Sequence, residues 1–303
     1  MFVTTDSASL ALLMPAAGKS WRQYLLPALV FLLLVTALNL PLVMNLGTHV
    51  IGRPFDDAFE VLWQLASVKE AVFETHTSPF YTPHIFFPQG WYTASGAQPP
   101  WYFVLLAPLT AALGPVATYN LSILSCLVVA ALGACWVVHK LTGSLFAGVV
   151  AGCAYIGAPV FALHMNGFFN MLIGMMFLPY AVGSAYIAVT HQGARTWLWV
   201  LTAGAFLAAA VLGQWYYLFI ATLPLLGLVL FVSSEVRVPV RVWRLIAIGG
   251  VALLIMAPFA LLTLRARRAM LPGGASYPLS MSEQLGFSPD YLLSPNPFHP
   301  LWR

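Results

Sequence analysis

The sequence predicts an all-α polytopic membrane helix bundle of about seven transmembrane helices, with an amphipathic surface helix in the first outer loop. Three observations carry this. Of the 303 residues, 60% are hydrophobic and 7% charged, against about 25% charged in a soluble domain. Such a chain cannot cover a water-facing surface, but it can satisfy a lipid-facing one. Apolar runs recur at close to the ~20 residues that carry a helix across the hydrocarbon core. Beyond the first span, lipid-incompatible sequence gathers in two regions, 46–101 and 265–303.

The first run, 24–45, is too long for a signal-peptide core, and no small-x-small cleavage pattern follows it. It is expected to stay as an anchor, with Lys19 and Arg22 just ahead of it. Further spans are expected at 117–138, 145–163, 169–189, 197–213, 215–233 and 245–264. Backbone polar groups in lipid must be satisfied internally, so each span is a helix. As one helix, 196–233 would be roughly 57 Å long at about 1.5 Å per residue. That is too long for one crossing, so a break is placed at Gly213-Gln214. Trp215, Tyr216 and Tyr217 then fall at a membrane interface, where such rings are enriched. Pro27, Pro108, Pro159, Pro179, Pro224 and Pro258 are expected to kink or end helices. Gly148-x-x-x-Gly152 is a close-packing face. The run 102–113 is too short to span and reads as an interfacial or re-entrant helix.

With 102–113 not crossing and the N-terminus inside, Lys19, Arg22, Lys140, Arg195, Arg237, Arg241 and Arg244 lie inside, seven of thirteen basic residues. The positive-inside bias is therefore slight, and Lys19 and Arg22 favour an inside N-terminus. The organisation is a bundle over 1–264, including the outer loop 46–101, followed by an outer C-terminal segment 265–303. The net charge of +4 suits loops near anionic membrane lipid. Nucleic acid is excluded as a partner, because the basic residues are not interleaved with aromatics. Cys126, Cys135 and Cys153 all fall in apolar runs and read as small packing residues. Asn120-Leu121-Ser122 matches a glycosylation sequon but opens an apolar span, and is discounted.

Five of the nine acidic residues are Asp56, Asp57, Glu60, Glu70 and Glu74. The segment 57–74 has a broad apolar face at helical spacing. Asp57, Glu60 and Gln64, at i, i+3 and i+7, are expected on the opposite face. Asp56 and Asp57 would begin this helix, where the macrodipole favours negative charge. They read either as an N-cap on a solvated face or as chemistry. A carboxylate at a membrane surface can serve as general base to a hydroxyl. Two together can hold a divalent cation, Mg²⁺ or Mn²⁺, through oxygen ligands. Arg265, Arg267 and Arg268 follow the last span, either as headgroup anchors or as ligands for a phosphate. Glu283, Asp290 and His299 lie beyond them in turn-forming sequence. His164, Asn166 and Asn170 sit at the junction of the third and fourth spans, as helix caps or facing a cavity.

Several stretches together resemble the GT-C superfamily of membrane glycosyltransferases, and within it the YfhO-like and mannosyltransferase-like bacterial multi-spanning proteins. These are Asp57-Ala58-Phe59-Glu60-Val61-Leu62-Trp63, then Ser78-Pro79-Phe80-Tyr81-Thr82-Pro83-His84 running on to Gly90, and Gly114-Pro115-Val116-Ala117-Thr118-Tyr119-Asn120. Trp215-Tyr216-Tyr217 and His299-Pro300-Leu301-Trp302 complete the likeness, which covers 50–303. The resemblance implies a polyprenyl-phosphate-linked sugar as donor, and an Asp at the start of the outer loop as base or metal ligand. By position that residue is Asp57. Here Asp56 stands where relatives usually show Gly. Relatives also continue past the His-Pro-Leu-Trp motif, so a C-terminally truncated chain is expected.

The expected activity is transfer of a sugar from a polyprenyl phosphate to an outer-surface acceptor at the cell membrane. Asp57 and Asp56 are the catalytic or metal-holding candidates. Arg265, Arg267, Arg268, Glu60, Asp290 and His299 are the substrate-binding candidates. The alternatives are a non-catalytic membrane scaffold and a component of lipid or polysaccharide transport. A transporter would carry charges at mid-membrane and an internal repeat, and the sequence shows neither.

Overall fold

The computed structural model describes residues 22–52, 57–86, 88–96, 98–193, 195–232 and 234–270. These residues are almost wholly helical. A 3-10 turn at Arg22–Tyr24 leads into α1 (Leu25–Leu38) and the short α2 (Leu40–Val43). The loop region holds α3 (Ala58–Phe73), a two-strand antiparallel hairpin of β1 (Tyr81–Thr82) and β2 (Trp91–Tyr92), and a 3-10 turn at Thr93–Ser95. Then follow α4 (Pro100–Thr142), α5 (Leu145–Ile156), α6 (Pro159–His164) and α7 (Phe169–Thr190). The described chain ends with α8 (Thr196–Gly213), α9 (Tyr217–Leu230) and α10 (Val238–Met270).

Four of these helices, α4, α7, α8 and α10, are long and apolar enough to cross a membrane. The segments Arg22–Leu38, Leu145–Ile156 and Tyr217–Leu230 are apolar but shorter. The protein is therefore a helical membrane protein by length and composition. The expected break within 196–233 is present, since α8 stops at Gly213 and α9 starts at Tyr217.

Other boundaries differ from expectation for identifiable reasons. The span expected at 145–163 breaks at Gly157-Ala158, where Pro159 begins a new short helix. The run 102–113 is a helical segment of its own within α4, and the following span begins beyond a kink, so the boundary expected after 113 is present. Gly114 makes the kink, with φ 79° and ψ 165°. The residue before a proline is driven from the α region, and glycine alone takes this positive φ cheaply. Thr118 closes the gap by donating its hydroxyl to the Gly114 carbonyl at 2.8 Å. Helix α10 runs past 264 to Met270, so Arg265, Arg267 and Arg268 belong to a helix and not to a loop. Tyr217 is buried, and its hydroxyl donates to Met171 O at 2.9 Å. Of the three rings expected at an interface, only Trp215 and Tyr216 are exposed.

Small residues set the spacing of the bundle, as in other membrane helix packings. Gly148 lies against the Cys135 carbonyl, and Gly152 lies under the Phe31 ring and the Ala131 carbonyl. The expected close-packing face is thus in use. Gly174 lies under the Tyr217 ring, and Gly183 under Trp136. Cys126 and Cys135 are buried and Cys153 is half-buried, all as free thiols.

The molecule has two unlike ends. At one, short connections join α4 to α5, α7 to α8 and α9 to α10. Tyr24 at the start of α1 also meets His139 there, at 2.9 Å. At this tight-turn end Arg241 is buried. It donates through Nε to Val236 O at 2.7 Å, through Nη1 to Val232 O at 2.6 Å and through Nη2 to Ser234 O at 3.1 Å. Arg244 donates to Ala188 O at 2.9 Å and His191 O at 2.8 Å. These carbonyls belong to helix ends and turns, which lack intrahelical donors and carry the negative pole of the macrodipole. The other end carries residues 46–99 and is called the loop end below.

Candidate functional site

At the loop end, α3 packs on the first part of α4. Ala58, Val61, Leu65 and Val68 form one core with Phe103, Ala107 and Tyr119. Full burial of each Val or Leu contributes about 1.5–3 kcal/mol, so this stripe holds α3 down. Phe103 stacks on Phe169 at the start of α7, with ring centroids 6.1 Å apart. Trp101 donates to Leu212 O at 2.9 Å and meets the Phe259 ring of α10 at 5.2 Å. The loop region thus touches α7, α8 and α10 at their ends. The β1–β2 hairpin and the Thr93–Ser95 turn rest on α10.

Asp57 is the residue that precedes α3. It is exposed, and its side chain makes no capping hydrogen bond to that helix. The start of α3 is seated on Gly167, in the turn between α6 and α7, which has φ 97°. A Cβ there would come within 2.6 Å of Ala58 N and 3.0 Å of Asp57 Cβ. Glycine is required both for the backbone angle and for this close approach.

Glu60 is half-buried one turn on. Burial, and next the Asp57 charge, raise its pKa from 4.5, and the Gln64 hydrogen bond opposes this. Gln64 Nε2 donates to Glu60 Oε1 at 2.8 Å. Gln64 itself is fully buried, on the core side of α3 and not on a solvated face. The apolar stripe runs 58, 61, 65 and 68, and position 64 falls within its arc, so the helix cannot bury one without the other. Glu70 faces His84 at 3.7 Å, and Lys69 pairs with Glu74. These are surface pairs. Asp56, Glu283, Asp290 and His299 lie outside the described residues.

Arg265, Arg267 and Arg268 are all exposed on the last turns of α10. Among the described residues, none of their guanidinium groups has a hydrogen-bond or ion-pair partner. Only Arg265 lines a groove of about 390 Å³, together with Phe80 of the loop and Pro258, Phe259, Leu261 and Leu262 of α10. Asp57 and Arg265 are therefore at the same end of the molecule, linked through Gly167, the Phe103–Phe169 stack and the Trp101–Phe259 contact.

The loop end also gathers buried polar atoms that lack a partner. Among the described residues these are Gln64 Oε1, Thr93 Oγ1, Gln98 Oε1, Asn120 Oδ1, Thr263 Oγ1 and Ser184 Oγ. All but Ser184 are at the loop end. Each such group costs about 1–3 kcal/mol when left unsatisfied, and each in a native structure needs an explanation. None of these residues except Gln64 stood out as a polar site from its sequence context. Asn120 had matched only a sequon. In the structure its Nδ2 donates to Leu46 O at 2.8 Å and His49 O at 2.7 Å, tying down the chain after α2.

The junction residues mostly serve the backbone. Asn166 Nδ2 donates to Ala162 O at 3.1 Å, and Asn170 Oδ1 accepts from Met171 N at 2.9 Å. His164 Nδ1 lies 3.4 Å from Met175 Sδ, and burial lowers its pKa. No cluster of three or more His, Cys, Asp or Glu residues is present among the described residues. Glu60, the next carboxylate along α3, has its Oε1 already engaged by Gln64. Comparison with family models, with curated proteins and with solved structures finds no match for this chain.

Proposed function

We propose that this protein is a seven-span membrane glycosyltransferase whose loop end faces outward from the cell membrane. In this reading α1, α5 and α9 also cross, beside the four long helices. A sugar moves from a polyprenyl phosphate to an acceptor hydroxyl. The supporting observation is the concentration of uncommitted polarity at one end: three guanidinium groups and five buried polar atoms that have no partner among the described residues. A ligand rich in hydroxyls and carrying a phosphate would draw on both sets, its phosphate on one member of the arginine group.

In the reaction the acceptor oxygen bonds to the anomeric carbon while the bond from that carbon to the phosphate oxygen breaks. Asp57 takes the hydroxyl proton, a step worth about 10²–10⁴-fold. The departing polyprenyl phosphate keeps the bonding electrons, and an arginine of the α10 cluster meets its charge. Glu60 neighbours Asp57, and Gln64 holds it in place for the sugar. Where a divalent cation takes part, Asp57 with Asp56 would be its oxygen ligands.

The test is purified protein in liposomes, given a panel of radiolabelled polyprenyl-phosphate sugars, with transfer or hydrolysis as the readout. The expected result is turnover of one donor by wild type and a loss of at least about 100-fold in Asp57→Asn, at unchanged expression and melting temperature. Turnover of no lipid-linked donor would reject the reading and leave the scaffold or transport alternative. A near wild-type rate in Asp57→Asn would reject the base.

A further inference from the structure

The groove beside Arg265 has a counterpart at the other end of the molecule. That second groove, of about 280 Å³, is lined by Leu26, Pro27 and Val30 of α1 and by Leu145, Phe146 and Val149 of α5. Both are open and apolar. Any membrane protein has such furrows, and lipid chains fill them without selection. The difference is chemical. The second groove offers no charge. The first ends in a guanidinium.

The arrangement along α10 explains how. Pro258, Leu261, Leu262 and Arg265 fall at i, i+3, i+4 and i+7, one stripe of the helix. The neighbouring stripe of Ala252, Met256, Thr263 and Ala266 is buried. Phe80 closes the groove from the loop side. Arg267 and Arg268, two and three residues further on, are not among its lining residues. The arginine cluster is thus unequal. One member stands at the mouth of an apolar channel, and two stand clear of it. Thr93 and Thr263, whose buried hydroxyls have no partner among the described residues, come from the two surfaces in contact beside it, the 3-10 turn of the loop and α10.

We infer that this groove is a subsite for a phosphate-bearing lipid, with the first part of its chain along Phe80, Pro258, Leu261 and Leu262 and its phosphate on Arg265 alone. The occupant is a lipid that enters from the bilayer, because the lining is apolar and the single charge complements a single anionic head. This rests on the donor reading above for the identity of the lipid as substrate. It adds which arginine binds, and that Phe80 ties the outer loop to occupancy.

Equilibrium binding of radiolabelled farnesyl phosphate in neutral phosphatidylcholine nanodiscs tests this, with farnesol and inorganic phosphate as competitors. Wild type should bind farnesyl phosphate about tenfold or more tightly than farnesol, as a charge-assisted hydrogen bond allows. Arg265→Gln should bring the two ligands to within about twofold of each other. Arg267→Gln and Arg268→Gln should each lose at most about twofold, because screened exposed charges contribute little. Leu262→Trp, which fills the groove, should weaken both ligands, whereas Val149→Trp in the second groove should weaken neither. Arg265→Gln binding like wild type, or Val149→Trp matching Leu262→Trp, would overturn the assignment. Inorganic phosphate competing as well as farnesyl phosphate would show a free-anion site and overturn it too. Binding as expected without sugar transfer would reject the transferase reading and leave this site standing. If Leu262→Trp fails to fold, the three arginine variants still decide.

Discussion

The arginines at the two ends of α10 occupy opposite situations. Arg241 and Arg244 each spend their donors on backbone carbonyls of neighbouring helix ends and turns. Arg265, Arg267 and Arg268, on the same helix, are exposed and find no such partners among the described residues. In a chain with few charges, the surroundings of each cation decide its role. A cation at a membrane boundary is structural where helix ends converge on it. It is available for a ligand where they do not. At the tight-turn end, connections are short and carbonyls converge. At the loop end, the space is filled by α3, the hairpin and the start of α4, whose own backbone bonds are internal.

The comparison can be broken by stability measurements, and the largest expected effect is at Arg241. Arg241→Met removes a buried cation with its four hydrogen bonds and leaves the Val229, Val232, Ser234 and Val236 carbonyls without them. The expected loss is about 3 kcal/mol or more, seen as a lower melting temperature in detergent. Arg267→Met should fall within about 0.5 kcal/mol of wild type, as surface changes do. Equal losses for the two variants would show that the ends do not differ in this way.

A smaller effect separates two glycines with positive φ. Gly193, at the tight-turn end, has φ 137° and, among the described residues, open space where a side chain would point, while Gly167 has the Asp57–Ala58 backbone against it. Alanine at 193 should lose only the strain of its backbone angle, about 1–3 kcal/mol. Alanine at 167 should add a clash that displaces the start of α3. The sharpest readout is turnover: Gly167→Ala should reduce it, and Gly193→Ala should leave it near wild type. Unaltered turnover in Gly167→Ala would detach Asp57 from the site.

The smallest effect is the pH dependence carried by Glu60. Its pKa is raised on folding, so the native chain holds a proton that the unfolded chain releases. Stability should therefore fall as pH rises from 4.5 through the raised value, and the loss is complete above it. Glu60→Gln removes this pH dependence. The variant should melt higher than wild type at neutral pH, and the two should converge at pH values below the ordinary carboxylate range. A difference in melting temperature that does not change with pH would show that burial of Glu60 has no electrostatic consequence.

Much of the helical layout was legible because it follows from composition and length. The break at Gly213-Gln214 follows from the reach of a single helix. The close-packing face of Gly148 and Gly152 follows from the need for close approach. Helix α3 was legible from its apolar spacing, but its polar side was not. Gln64 lies within the arc that Ala58, Val61, Leu65 and Val68 bury, and spacing alone placed it with Asp57 and Glu60. The end of α10 was misplaced for a related reason. Three arginines look like the start of a loop, yet a helix that has left the apolar layer can continue in polar surroundings.

Composition and residue order alone establish that this chain is helical and apolar, and where its few charges lie. Those properties are set by local composition and by the rise of a helix. The tertiary structure decided which charges are used up. Whether an arginine meets converging carbonyls or a groove, and whether a glycine must admit a neighbouring backbone, depends on elements far apart in the chain. Arg265 meets Phe80 at a groove, and Gly167 meets Asp57, across separations that no local pattern encodes. Packing at the helix ends made that choice, because only there do backbone groups compete with a ligand for the same side chains.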